Sequence, residues 1–200
     1  MAPVSVPDST TFGAASTVRQ ASMADAQRIT ELIESAYRGP GSKRGWTTEA
    51  DILDGQRTDL EAVAEALARE DVRILIATTG EQHADVLLGC CQIERRSAEL
   101  AYFGSFAVRP ELQNAGLGRT LLTAAESTAR SQWQVSAMEM TVIAQRSELI
   151  AWYQRRGYEL TGQTRPFPYD DERAGVPRRG DLHFLVLRKV LTRISPPRPS

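Results

Sequence analysis

Two glycines at the mouth of a helix are the first residues in this chain with a chemistry to offer. The stretch Phe106-Ala-Val-Arg-Pro-Glu-Leu-Gln-Asn-Ala-Gly-Leu-Gly-Arg-Thr-Leu-Leu122 reads as a strand, a proline that ends it, a polar loop, and a helix opened by Gly116 and Gly118. Glycines at such a junction let an anion approach the backbone closely. The free N–H groups of the first turn and the helix dipole then favour phosphate. Arg119 puts a cation in that first turn, where the dipole disfavours one, and an anion docked there would account for it. Taken alone, a Gly-x-Gly pair marks a tight turn more often than a ligand site. The stretch is not a P-loop, which would end in Gly-Lys-Ser/Thr. Nor is it a dinucleotide fingerprint, whose third glycine would fall at Leu121.

A second stretch, Glu148-Leu-Ile-Ala-Trp-Tyr-Gln-Arg-Arg-Gly-Tyr158, reads as a short helix closed by Gly157. Leu149 and Tyr153 share one face of it, and the residues alone make Tyr153 a core aromatic. A third, Tyr37–Arg57, is too polar and turn-rich for core, yet it carries Tyr37, Arg38, Trp46, Thr47, Glu49, Gln56 and Arg57. Exposed Trp and Arg beside a carboxylate suit a polar, zwitterionic small molecule. They suit a loop held by its own ion pairs equally well. Cys90 and Cys91 are the only cysteines. Adjacent in a strand, they would point to opposite faces, so neither a mutual disulfide nor a zinc pattern is indicated. His83 and His183 stand in unrelated contexts, and no metal site is suggested.

These residues need a scaffold, and the chain is long enough to supply one. It has 200 residues, 42 % of them hydrophobic, with 14 glycines, and a domain of this size buries roughly 70 % of its unfolded surface without metal or disulfide staples. No run approaches the ~18 apolar residues of a membrane span. Lys+Arg number 24 against 25 Asp+Glu, a net charge of -1, which argues against a general nucleic-acid binder. No secretory signal is visible, so a cytoplasmic protein is expected. Residues 1–16 and 194–200, rich in Pro and Ser, read as tails, leaving one domain over 17–193.

Periodicity arranges that domain. Thr17–Gln20 reads as a strand. Ser22 and Asp25 form a capping-box pair ahead of a helix with Ala26, Ile29, Ile33, Ala36 and Tyr37 on one face. Asp59 caps a second helix with Leu60, Val63, Ala64 and Leu67 inward. The period then changes to two for strands at Val72–Thr78, Val86–Glu94 and Glu99–Val108. A helix over Gly116–Arg130, a strand at Met138–Ile143, a helix over Ser147–Arg156, and strands at Tyr158–Thr161 and Leu182–Leu187 complete the order. Three hairpin-connected strands followed by strand–helix–strand imply a mixed sheet in an α/β domain.

At these two motifs the chain resembles the Gcn5-related N-acetyltransferase (GNAT) family. Gln113-Asn-Ala-Gly-Leu-Gly118 is similar to the family's acetyl-CoA loop. About 35 residues on, Ala151-Trp-Tyr-Gln-Arg-Arg-Gly-Tyr158 is similar to its aromatic-Tyr-x-x-x-Gly-aromatic segment. The resemblance implies a mostly antiparallel sheet flanked by helices, the acyl-CoA N-acyltransferase fold. In it the strands Glu99–Val108 and Met138–Ile143 splay apart. Acetyl-CoA would be the co-substrate. Phe106, Ala107 and Val108 would hold its pantetheine arm by backbone groups, and Gln113, Asn114, Ala115, Gly116, Leu117, Gly118, Arg119 and Thr120 its pyrophosphate.

The resemblance also implies direct attack by a primary amine, with Tyr153 as general acid to the departing thiolate. Arg146 stands where many members have an asparagine for the pantetheine arm, and Tyr102 where many have a carboxylate base. Glu94 and Glu99 are the nearest acidic candidates by strand order, and Tyr102 could relay a proton through water. Tyr37, Trp46, Glu49 and Arg57, with the late loop Thr164–Gly180, would face the acceptor, expected to be a small-molecule amine. No metal, nucleic acid or membrane is implied, and a homodimer is compatible. The alternatives are a silent acyl-CoA-binding regulatory module and an acetyltransferase of protein amines.

Overall fold

Local side-chain chemistry starts the chain as its sequence predicts. The computed structural model describes residues 16–38, 42, 45, 49, 51–79, 86–113, 115–171 and 175–191; Trp46, Thr47, His83, Asn114 and most of both expected tails lie outside them. Strand β1 (Ser16–Gln20) leads through one 3-10 turn into α1 (Ala26–Tyr37). The Asp25 carboxylate accepts from the Ser22 backbone N–H at 2.8 Å, and Arg19 forks onto both its oxygens at 2.8 Å. Those bonds hold the Asp25 carboxyl well below the usual carboxylate range. All five expected α1 residues are buried.

Helix α2 (Leu60–Ala68) begins where Asp59 Oδ1 accepts from the Ala62 N–H at 2.7 Å. Its packed face departs from expectation. Val63 and Leu67 pack as expected, while Leu60 is exposed and Ala66 joins them in place of Ala64. Helical Cα–Cβ bonds tilt toward the N-terminus, which carries the first side chain off the end of the packed face.

The sheet follows with β3 (Val72–Thr79), β4 (Val86–Arg95), β5 (Leu100–Val108), β6 (Ala137–Ile143), β7 (Glu159–Pro166) and β9 (His183–Val190). The helices α3 (Leu117–Trp133) and α4 (Ser147–Gln154) connect them. Its seven strands run β1-β3-β4-β5-β6-β9-β7, and every pair is antiparallel except β5–β6. A separate two-stranded ribbon joins β2 (Leu53–Asp54) to β8 (Val176–Pro177). It ties together the two segments expected to face the acceptor, and Arg178 reinforces it with a fork onto Asp54 at 2.7 and 2.8 Å.

Three elements end later than periodicity implies, among them β9, which runs to Val190 rather than Leu187. Helix α3 continues past Arg130 until Trp133 is buried, and Gln134 ends it in a left-handed conformation with φ 55°. Strand β7 extends to Pro166, so the late loop is shorter than Thr164–Gly180. All eight of its residues are exposed, which leaves no alternation to read.

Two apolar layers sandwich the sheet. One packs α1 and α2 against residues such as Ile74, Ile76 and Cys90, and the other packs α3 and α4 against Cys91, Ile93, Phe103 and Met138. The adjacent cysteines thus enter opposite cores, both free and buried, and burial pushes the Cys90 thiol up to about 12. No helix among the described residues is long and apolar enough to cross a membrane.

Candidate active site

The sheet opens where its only parallel pair stops. β5 and β6 pair over Leu100–Tyr102 and Ala137–Glu139 and no further, so the later part of each strand faces a wedge rather than a neighbour. On its other side β5 carries a bulge. Cys90 pairs with Ala107 and Gln92 with Gly104, which leaves one extra residue on β5 and Ser105 at φ 43°.

One cavity of ≈ 230 Å³ lies between the end of β5, the mouth of α3 and α4. Phe106, Val108, Gln113, Gly116, Gly118, Arg119, Trp152 and Arg156 line it. Gly116 turns the chain at φ 86°, a conformation costly for any residue with a Cβ. A Cβ on Gly118 would sit 3.2 Å from Phe106 Cζ and 3.4 Å from Trp152 Cζ2, so glycine keeps this floor open. Arg156 lies over Trp152 with its guanidinium carbon 3.5 Å from the ring centroid and donates to the Trp152 carbonyl at 2.7 Å. Partial burial and the charges of Arg155 and Arg119 hold its pKa below the usual arginine value. Such crowding of like charge is relieved by an anion.

A second cavity of ≈ 280 Å³ fills the wedge itself and shares Tyr37, Phe106 and Leu149 with the first. Tyr153 stands in its wall. The ring is held edge-on by Trp152, Tyr158 and Phe103 at centroid distances of 5.0, 5.8 and 6.3 Å. Its hydroxyl makes no hydrogen bond to any described residue. Burial raises its pKa well above the usual tyrosine value, so the group keeps its proton across the working pH range. Tyr102 and Thr141 share a 2.7 Å hydrogen bond across the wedge. The Tyr37 hydroxyl donates to the Phe106 carbonyl at the bulge, and its ring lies beneath Arg57 and Arg146 at 5.4 and 5.7 Å.

Glu49 is the one carboxylate among the described lining residues. Arg146 reaches its Oε1 and Arg38 its Oε2, each at 2.9 Å, and Arg57 Nε stays 3.6 Å away. Burial alone would raise this carboxyl. The guanidiniums of Arg57, Arg146 and Arg38 outweigh it and hold the pKa below the usual range, which makes Glu49 a poor base and a firm anchor.

Residues 27–158, more than half of the chain, match the model of the acetyltransferase (GNAT) family. The chain belongs to the GNAT acetyltransferase family. A comparison with curated proteins found no significant match. Solved structures share the fold. One is yncA from Salmonella typhimurium, determined with its cofactor acetyl-CoA, at 21 % identity and TM-score 0.63 over 92 % of this chain and 99 % of that one. The ribosomal-protein-S18-alanine N-acetyltransferase of Escherichia coli aligns at 14 % identity and TM-score 0.63, covering 92 % and 99 %. The spermidine/spermine N-acetyltransferase SpeG of Vibrio cholerae aligns at 14 % and 0.61, covering 90 % and 94 %.

The GNAT fold brings Phe106, Val108, Gln113, Gly116, Gly118 and Arg119 to one cavity, and Tyr37, Glu49, Arg57, Tyr102 and Tyr153 to the other. Two expectations need correction. Arg146 lines the wedge cavity and not the helix-mouth cavity, because its charge is drawn to Glu49. Glu94 lies opposite Tyr102 in the ladder but outside both cavities, bound by Arg69 at 2.7 Å and Arg96 at 3.0 Å. Ala107 and Leu117 bury their side chains in the two cores, and Ala115 and Thr120 line a further cavity with Gly116 and Arg119; the backbone roles expected of Ala107, Ala115 and Leu117 do not depend on side-chain direction. Glu99 is likewise in neither cavity. Trp152 and Arg156, beside the motif tyrosine, went unread as site residues; a tryptophan and an arginine one turn apart at a helix end were their signal.

Proposed function

We propose that this GNAT chain transfers the acetyl group of acetyl-CoA to a primary amine of a polar small molecule by direct attack in a ternary complex. The observation that carries the reading is the junction at Phe106. There a glycine-floored, arginine-flanked cavity meets a wedge cavity whose wall holds a protonated tyrosine hydroxyl with no hydrogen-bond partner among the described residues. The residues fit the co-substrate. Gly116 and Gly118 leave room for a polyanion, Arg119, Arg155 and Arg156 supply charge, and the wedge-facing edge of β5 has no strand to occupy its backbone groups. Phe106 and Val108 would hold the pantetheine arm along that edge.

Acetyl-CoA supplies an activated thioester carbonyl. The protein then has to orient the amine and move protons. A free alkylamine is only about one part in two thousand neutral at pH 7, so one proton leaves before attack. The Tyr102–Thr141 hydroxyl pair offers its first relay toward water. As the C–N bond forms and the C–S bond breaks, Tyr153 gives its proton to sulfur and recovers one from the new amide nitrogen. GNAT neighbours whose names specify a polyamine and a protein share this fold, so fold alone does not choose the acceptor class. The wedge cavity of ≈ 280 Å³ favours a small one, lying at the low end of ligand sites of about 300–1,000 Å³.

The test is thiol release from acetyl-CoA over a panel of amines, amino acids and peptides, beside calorimetry of acetyl-CoA binding. Amine-dependent release with acetylated small-molecule products is expected. Binding without release throughout the panel would leave a silent module, and release with peptides alone would make the acceptor a protein.

A further inference from the structure

The wedge cavity is cationic in a way its own carboxylate does not cancel. Arg57 and Arg146 line it, Arg38 stands behind, and Glu49 answers all three. Glu34 adds a second carboxylate, spent on the backbone. Its Oε1 accepts from the N–H groups of Arg57 at 2.6 Å and Thr58 at 2.8 Å. Three guanidiniums minus two carboxylates leaves one positive charge.

Arg57 makes the loosest ion pair of the three. Both Glu49 oxygens are engaged at 2.9 Å by the other two arginines, and Arg57 keeps only the 3.6 Å approach. Its Nε, the atom facing Glu49, is buried with no hydrogen-bond partner, as is Nη2 of Arg38 behind it, and buried donors in that state are few. The side chain is also positioned in advance: Glu34 pins its backbone, and the guanidinium lies 5.4 Å over the Tyr37 ring. An arginine fork held this way matches an oxoanion in bidentate fashion. Tyr37 spans from beneath that fork to the Phe106 carbonyl at the junction of the two cavities, so one small molecule reaches both ends.

We infer that the acceptor is an amine carrying a carboxylate, an amino acid in form, with the carboxylate on Arg57 and the amine toward the Phe106 junction. This rests on the acetyltransferase reading above. A polyamine would instead bring further positive charge against the arginines.

The test compares L-amino acids with their carboxamides, their decarboxylated amines and spermidine, in the parent and in Arg57→Gln and Arg57→Lys. The free acids should exceed their amides in kcat/KM by at least about tenfold, ~1.4 kcal/mol. Arg57→Gln should abolish that preference, lowering kcat/KM for the acids at least about tenfold more than for their amides. Arg57→Lys should restore part of it. Amides or spermidine used as well as the acids, or an Arg57→Gln loss equal for acids and amides, would overturn the inference. The acid-to-amide ratio of the parent decides even if a variant fails to fold. Calorimetry separates the two levels: acetyl-CoA binding with turnover of spermidine defeats the charge inference alone, whereas absent acetyl-CoA binding defeats the acetyltransferase reading with it.

Discussion

Replacing Tyr153 with phenylalanine removes one oxygen and leaves the ring that Trp152, Tyr158 and Phe103 hold edge-on. The hydroxyl makes no hydrogen bond to any described residue and the side chain lines the wedge cavity, so its removal forfeits no described protein contact. The variant should therefore melt at or above the parental temperature. The rate should move the other way. A positioned general acid contributes about 10²–10⁴ in rate, which at 1.36 kcal/mol per decade is ~2.7–5.4 kcal/mol of barrier. The KM for acetyl-CoA should hold, because the glycine floor and the arginines lie in the neighbouring cavity. The sign of the pH dependence follows from the same burial. A tyrosine whose pKa is raised keeps its proton further into alkali, so kcat of the parent should rise as the amine deprotonates, with no alkaline fall before about pH 10. Thiol release at saturating substrates, measured beside a thermal melt and a pH profile, makes the comparison. Turnover at the parental rate would return Tyr153 to packing alone. A melt that falls in step with the rate would refute the claim that the hydroxyl is free of structural duty.

Gly118→Val should weaken acetyl-CoA by at least about tenfold in Kd, ~1.4 kcal/mol, since the new side chain meets Phe106 and Trp152 from its first carbon onward; calorimetry showing parental affinity would move the site elsewhere. Gly118 is the better probe than Gly116, whose φ of 86° strains any replacement regardless of ligand. Glu49→Gln should destabilise the fold by about 3–5 kcal/mol, the usual cost of stripping one member from a buried ion-pair group, read as a lower midpoint in urea. Its native pKa is depressed, so the Glu49 contribution is present above the ordinary carboxylate range and fades as pH falls through the native value. The gap between parent and variant should narrow below about pH 4, and a gap constant with pH would exclude the charge as its source.

What could be read from the sequence divides along the line between the two cavities. The glycine-floored half comes from contiguous segments, one strand–loop–helix passage and one short helix. The cues there are local: a proline ending β5, Gly116 at a positive φ, Gly157 closing α4, and Tyr153 one turn from Leu149. Core strands were equally plain, because burial on two faces leaves runs such as Val72–Ala77 and places Cys90 and Cys91 in separate layers. The wedge half has no such signature. Arg146 and Glu49 meet across 97 residues of sequence, Arg57 approaches from a third segment, and the ribbon that binds this side is only two residues long on each strand. Strand β7 shows no alternation because neither of its faces is buried. A charged residue read by position alone is therefore misplaced most easily here. Arg146 occupies a position associated with the pantetheine arm, but the nearest buried carboxylate decides where its guanidinium goes. The same pairing leaves Arg57 as the side chain on which acceptor choice turns.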